Sequence, residues 1–151
     1  MLDDTDRRIL RQLQAVPGLS TAELADRCNI TSATCWRRLE KMESAGILKG
    51  QEAVIDWAAL GYAVEVSLRV TLDKTQPRAF DEFIAASRLV PEVLEIQTFL
   101  GRVDVRLSLV ARDMRHYQQI YRDRILTLPH IADIEALMHI ARVKSDEALP
   151  I

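Results

Sequence analysis

The sequence STAELADRCNITSATCWRRLEKMESAGI, residues 20–47, predicts two short helices separated by a tight break. Ser20 and Glu23 have the spacing of a capping box, so the first helix is expected to begin at Ser20. Thr31 is a suitable N-cap for the second helix, and Gly46 is a suitable C-cap. A capped helix, a short turn and a second helix with a polar front predict a helix-turn-helix.

The second of these helices divides into an inner stripe and a polar front. Cys35, Leu39 and Met42 recur at helical spacing and form the inner stripe. Small and hydroxyl side chains at the front let the backbone approach base edges, and arginines read guanine or bind phosphate. For this helix taken alone, a solvated face with Trp36 packed on the first helix of the chain is the alternative. The predicted DNA contacts are Thr31, Ser32, Ala33, Thr34, Trp36, Arg37, Arg38 and Lys41.

The segments on either side favour the DNA-binding interpretation. An amphipathic helix is predicted at the start of the chain, with Asp3 or Asp4 as its N-cap. The sequence ILKGQEAVIDW, residues 47–57, contains two short apolar runs around a glycine and predicts a small hairpin resembling a wing. Residues 1–50 are therefore predicted to form a winged helix-turn-helix domain, with residues 51–61 as hairpin and linker.

From residue 62 the apolar side chains change from helical spacing to alternation. Residues 62–72, YAVEVSLRVTL, place an apolar side chain at nearly every second position, which predicts a strand with one buried face. Further strands are predicted at 93–100, 103–110 and 131–143, with helices after the first and third strands. The order β-α-β-β-α-β predicts a ferredoxin-like effector and oligomerisation domain over 62–151, and an α+β chain overall.

The helices of this second domain are expected to cover one face of its sheet. The first has Pro77 in its first turn and places Phe80 and Phe83 at the spacing of one apolar stripe. The other sheet face, which carries Val110 and Leu137, has no obvious covering element within the chain. An uncovered face with apolar residues predicts a partner, most simply a second copy of the chain.

Composition and charge limit the classes of function. Apolar residues make up 48% and charged residues 28% of the chain, as in soluble globular proteins. The net charge of −2 requires that any nucleic-acid contact come from a local basic cluster. No apolar run is long enough to cross a bilayer and no secretory signal is visible, so a cytoplasmic location with no membrane partner is expected.

Catalytic, metal and redox sites are not predicted. The sequence lacks a Ser-His-acid set, a phosphate-binding glycine loop and the spacing of metal ligands, so it predicts no enzyme, no metal site and no cofactor. Cys28 and Cys35 both fall on inner helical stripes, where thiols are normally inert. Redox sensing through this pair is a minor alternative.

Four stretches of the chain match one known family of proteins. They are LDDTDRRILRQLQ, STAELADRCNITSATCWRRLEKMESAGIL, DWAALG and LPHIADIEALMHIARVK. On these stretches the chain resembles the Lrp/AsnC (feast/famine) transcriptional regulators. The resemblance implies a regulator that binds double-stranded DNA, homodimers that often assemble into octamers, and an amino-acid effector bound where dimers meet.

The turn that binds the effector in this family is altered here. The family usually carries Gly-Asp-x-Asp-Tyr between its second and third strands, whereas this chain has Gly101-Arg102-Val103-Asp104-Val105. An amino acid needs donors for its carboxylate and an acceptor for its ammonium, so main-chain amides at 101–103 are expected to hold the carboxylate and Asp104 the ammonium. Arg102 is expected to add a charge-assisted contact to an acidic ligand. Alternatively, Arg102 is a solvent-exposed residue of an unused site, and the chain is an effector-independent architectural regulator.

Overall fold

Two separate clusters of buried apolar side chains divide the chain into two units. The computed structural model describes residues 1–145 and 148–151. The N-terminal unit comprises Met1–Val54 with Lys144–Ile151, and the C-terminal unit comprises Ile55–Val143. This grouping differs from the predicted limits of 1–50, 51–61 and 62–151 at the end of the chain. The physical reason is that the side-chain amide of Gln14 pairs with the backbone N–H and carbonyl of Leu149, at 2.6 and 3.2 Å.

Three capped helices form the N-terminal unit. They are α1 (Asp4–Ala15), α2 (Thr21–Cys28) and α3 (Ser32–Ser44). The side chains of Asp3, Ser20 and Thr31 accept hydrogen bonds from backbone N–H groups in the first turns of these helices, so all three predicted N-caps are confirmed. The fully or nearly fully buried apolar residues of this unit are Ile9, Leu24, Ala25, Cys28, Cys35 and Met42.

The turn between α2 and α3 is set by Asn29. Its backbone is left-handed, with φ +53°, a conformation that asparagine tolerates better than most residues. The N–H of Ile30 then reaches back to the carbonyl of Ala25 at 3.0 Å. This short closure lets α3 begin immediately afterwards, with Cys35 and Met42 facing the core as predicted.

The predicted hairpin at 47–57 is wrong. The structure assigns no strand to residues 45–63, all of which it describes. The N–H groups of Ile47 and Leu48 both return to the carbonyl of Met42, at 2.9 and 3.2 Å, so the first apolar run completes the end of α3. The second run is therefore left without a strand partner.

A four-stranded antiparallel sheet forms the C-terminal unit, with strands in the order β2-β3-β1-β4. The β-α-β-β-α-β order and the α+β class are confirmed, although all four strands are shorter than predicted. The elements are β1 (Val64–Leu72), α4 (Ala79–Ser87), β2 (Val93–Thr98), β3 (Val105–Ala111), α5 (Met114–Ile120) with a π-helical turn (Tyr121–Ile125), and β4 (Ile131–Met138).

The helix-covered face of this sheet carries the apolar core. Cross-strand pairs such as Leu68 with Leu107 are fully buried and pack with Phe83 of α4. Phe80 instead is 45% exposed. Because α4 begins only at Ala79, Ala79 and Phe83 form the buried pair one turn apart, and Phe80 lies on the outer side. Pro77 consequently precedes the helix.

The opposite sheet face is mixed in character. Ion pairs link Arg69 to Glu135 at 3.9 Å and Arg106 to Glu95 at 3.6 Å across neighbouring strands. Val110 also lies on this face, yet it is only 8% exposed. A cavity of about 410 Å³ beside it is lined by side chains of the sheet and of the connector that precedes β1, residues 55–62. Residues of the connector thus lie against one end of the face that the sequence predicted to be uncovered.

Candidate DNA-reading helix and effector turn

The front of α3 is exposed along its N-terminal half. Thr34 is half-buried, and Thr31 donates its hydroxyl hydrogen to the hydroxyl of Thr34 at 2.9 Å. The predicted contact residues that are exposed are Thr31, Ser32, Ala33, Trp36, Arg37 and Lys41. Together these side chains offer hydroxyl, methyl, aromatic and cationic groups, which suit phosphate and base-edge contacts.

Trp36 and Arg37 both point into solvent. Trp36 is 58% exposed, so more than half of its surface is open to a partner outside the chain. Arg37 is exposed and has no hydrogen-bond or ion-pair partner among the residues that the structure describes. Its guanidinium is therefore available to a partner outside the chain.

Arg38 has a different environment from Arg37, although both were predicted to contact DNA. Its Nη1 donates to Asp3 Oδ2 and Asp6 Oδ1, each at 2.7 Å, and its side chain is only 26% exposed. Asp6 is 2% exposed. The hydrogen bonds that Arg38 donates to Asp3 and Asp6 raise the pKa of Arg38 above its ordinary value, so the side chain stays charged. Arg38 thus joins α3 to the start of α1.

The turn between β2 and β3 presents its first residues to solvent. Gly101, with φ +153°, and Arg102 are exposed, whereas Val103 is half-buried and Asp104 is buried. Thr71 donates its hydroxyl hydrogen to the carbonyl of Arg102 at 3.1 Å, which anchors the turn to β1.

The three backbone N–H groups at residues 101–103 have no acceptor among the described residues. Successive free N–H groups in a turn form a concavity that binds anions. The guanidinium of Arg102 likewise has no partner within the described part of the chain. The turn therefore offers donors without internal acceptors.

The carboxylate of Asp104 is already occupied. Its Oδ2 accepts the N–H of Leu72 at 2.9 Å, and its Oδ1 lies 3.0 Å from Lys74 Nζ. Burial acts to raise the pKa of Asp104, but the hydrogen bonds from Leu72 and Lys74 outweigh it, so the pKa lies below its ordinary value. The predicted role of Asp104 as a free ammonium acceptor does not match this geometry.

Comparisons with known proteins match both units of the chain. Residues 2–49 match the winged helix-turn-helix DNA-binding family, and residues 65–149 match the Lrp/AsnC ligand binding domain. The chain belongs to the Lrp/AsnC family. It is thus a DNA-binding transcriptional regulator with a ligand-binding domain, as the sequence predicted.

Individual relatives and solved structures agree with this assignment. The chain is 28% identical to the DNA-binding transcriptional activator DecR of Escherichia coli K12, over 100% of this chain and 99% of the relative. It is 32% identical to the proline dehydrogenase transcriptional activator of Rhodobacter capsulatus, over 87% and 86%. A transcriptional regulator from Neisseria meningitidis in complex with L-Met has a TM-score of 0.91, with 28% identity over 99% and 97%. E. coli AsnC has a TM-score of 0.87, with 25% identity over 96% of each chain.

The second departure of this Lrp/AsnC chain from its family pattern lies in the core. Val105, which replaces the usual aromatic residue, is fully buried and pairs with Val70 of β1. The change therefore alters packing beneath the turn, and only Arg102 alters its exposed surface.

Redox sensing and metal binding have little support in the described residues. Cys28 and Cys35 are buried free thiols, and burial raises the pKa of both, which keeps them protonated. Within residues 1–145 and 148–151, no three His, Cys, Asp or Glu side chains are grouped to hold a metal ion. No helix in that part of the chain has the length and apolar character needed to cross a membrane.

We expect the charge of Asp104 to make the C-terminal unit sensitive to acid. Because the folded-state pKa is depressed, the carboxylate stabilises the fold above the unfolded-state pKa of about 3.9, and this contribution is lost as pH falls further. Asp104→Asn keeps an oxygen for the Leu72 N–H but loses the ion pair with Lys74. Urea unfolding at about pH 6 and about pH 3 should therefore show a smaller acid destabilisation in the variant than in the wild type. Equal losses in the two proteins would contradict a stabilising charge at this position.

Proposed function

We propose that this Lrp/AsnC regulator reads double-stranded DNA through the N-terminal half of α3, with Arg37 as its main cationic contact. The observation that carries the proposal is the exposed guanidinium of Arg37, which has no partner in the described residues. The short side chains of Thr31, Ser32 and Ala33 precede it on the exposed surface of the helix. Trp36 is proposed to lie along the sugar-phosphate backbone, since it is 58% exposed and directly precedes Arg37 in the helix.

Arg37→Ala is expected to weaken operator binding about tenfold to a hundredfold, since one arginine contact with guanine or phosphate contributes about 1–3 kcal/mol. Fluorescence anisotropy with a duplex selected from random sequence measures this affinity, and its salt dependence reports phosphate contacts. Arg88→Ala is the matched control, because Arg88 is exposed and unpaired in the described structure but lies in the C-terminal unit. Unchanged affinity of Arg37→Ala for the selected duplex would refute this choice of contact.

We also propose that the active form is a homodimer that assembles further, to octamers. A single helix-turn-helix binds weakly, whereas two-fold related reading helices about 34–36 Å apart occupy successive major grooves. The sheet face opposite the helices supports pairing with a second sheet. It carries the apolar, half-buried side chain of Leu137, and the short side chains of Ser67 and Ser108 leave room for another backbone to approach. Sedimentation of the purified chain tests the assembly.

A small-molecule effector, an amino acid, is proposed to bind at Gly101, Arg102 and Val103. The free N–H groups of this turn support a carboxylate, and the Neisseria relative was solved with L-Met. Asp104 is proposed to support the turn from inside.

The second candidate function is an effector-independent architectural regulator, which the occupied carboxylate of Asp104 favours. Gel-shift titrations with and without amino acids separate the two, because only the first candidate changes its affinity or assembly. We propose that the chain acts in the cytoplasm, by binding rather than by catalysis, and that it needs no cofactor.

A further inference from the structure

We infer that the effector of this regulator is an acidic α-amino acid, a molecule with two carboxylates and one ammonium, such as aspartate or glutamate. This inference rests on the proposed function, because it concerns the same turn at residues 101–104. It follows from the charged groups at the turn that have no hydrogen-bond or ion-pair partner within the described part of the chain.

Asp104 is not available to a ligand, because both of its carboxylate oxygens have partners within the chain. It is 9% exposed, and its two oxygens lie 2.9 Å from the Leu72 N–H donor and 3.0 Å from Lys74 Nζ. A ligand ammonium at this position would compete with Lys74 for an oxygen that is already neutralised. The turn itself therefore lacks the negative charge that would balance its cationic groups.

The free groups at the turn are donors. The N–H groups of 101–103 are consecutive in one turn and have no acceptor in the described residues, and Arg102 adds a planar guanidinium that also has no partner there. The backbone of Arg102 is fixed through its carbonyl by Thr71, while its side chain stays free. The amides suit one carboxylate, and the guanidinium suits a second by paired, charge-assisted hydrogen bonds.

An acceptor for the ligand ammonium lies on the neighbouring strand. Asp133 of β4 stands opposite Thr71 of β1 in the sheet register, so their side chains share a face. Asp133 is exposed and has no partner among the described residues. Thr71 also bonds the carbonyl of Arg102, so the free carboxylate of Asp133 shares a sheet face with the side chain that anchors the turn and its free guanidinium and N–H groups. An acidic amino acid matches all of these, whereas an apolar amino acid leaves Arg102 without a counter-charge.

Calorimetric titration of the full chain tests the class of ligand. L-glutamate and L-aspartate are compared with L-glutamine and L-asparagine, which have nearly the same shape but one charge fewer, and with L-methionine. The acids are expected to bind at least about tenfold more tightly than their amides, since a charge-assisted hydrogen bond is lost with the second carboxylate.

Two variants assign the charges to residues. Arg102→Gln should reduce the preference of glutamate over glutamine to about one, whereas Arg88→Gln, a change at an unpaired arginine before β2, should leave it unchanged. Asp133→Asn should weaken glutamate and glutamine equally, because both carry the ammonium.

The outcomes separate this inference from the proposed function. If glutamine or methionine binds as tightly as glutamate, an amino-acid effector stands and its acidic class is refuted. If Arg102→Gln keeps the full preference for acids, the assignment to this turn is wrong. If no amino acid produces heat or changes DNA affinity, both the inference and the proposed effector fail.

Discussion

Arg38→Ala is expected to lower the free energy of unfolding of the N-terminal unit by roughly 2–4 kcal/mol. The substitution removes the cation that holds the Oδ1 of Asp6 at 2.7 Å. Asp6 is 2% exposed, so its carboxylate would remain buried without a counter-charge. The loss of this partner costs more than the loss of an exposed ion pair, because water cannot replace it fully.

Urea denaturation followed by hydrogen exchange of the α1 and α3 peptides measures the stability of this unit separately. Arg37→Ala is the matched control, since it deletes the same side chain one position earlier and should change stability by less than about 0.5 kcal/mol. Arg38→Ala should thus lose stability, whereas Arg37→Ala should lose DNA affinity. If both retain wild-type stability, the Arg38 ion pair does not hold α3 to α1.

A second variant pair isolates the charge of Asp6. Asp6→Asn keeps an oxygen that accepts the N–H of Asp3 but removes the buried negative charge. Combined with Arg38→Met, it should be less destabilising than the sum of the single changes, because neither partner is left charged and buried. A strictly additive result would show that the two side chains do not interact energetically.

The adjacent arginines of α3 show what sequence patterns settle and what they do not. Helix caps were predicted correctly at Ser20 and Thr31 because both partners of each bond lie within four residues. The separation of Arg37 from Arg38 depends on Asp6, which is 32 residues from Arg38 along the chain. Residue type and helical spacing alone gave both arginines the same predicted role.

The C-terminal unit shows the same limit. Alternation in β1 predicted the buried apolar side chains from Val66 to Leu72, because side chains of a strand point to opposite faces in turn, but it did not predict that Ser67 on the other face is also buried. At the turn between β2 and β3, residue types predicted a ligand contact at Arg102, which is exposed and has no side-chain partner among the described residues. The occupation of Asp104 by Leu72 and Lys74 depends on β1 lying beside β3, which no local pattern specifies.

The predicted hairpin failed for a local reason. Glycine between two apolar runs is a common sign of a strand pair, but Gly50 follows a run that ends α3 instead. Gly46, with φ +69°, already reverses the chain and directs Ile47 and Leu48 back to Met42. The C-cap therefore uses the residues that the first strand of a wing would have needed.

Phe83→Ala is expected to destabilise the C-terminal unit by roughly 3–5 kcal/mol, the usual cost of removing a fully buried phenylalanine. Phe83 is 0% exposed and lies in α4, a helix of 9 residues with no side-chain N-cap, so its attachment depends on this contact with the sheet. Thermal unfolding is followed by the fluorescence of Trp57 in a Trp36→Phe background, which reports on the C-terminal unit alone. Phe80→Ala is the control, because that ring is 45% exposed and its loss should cost less than about 1 kcal/mol. Similar losses in the two variants would mean that α4 is attached through its outer side, contrary to the observed burial.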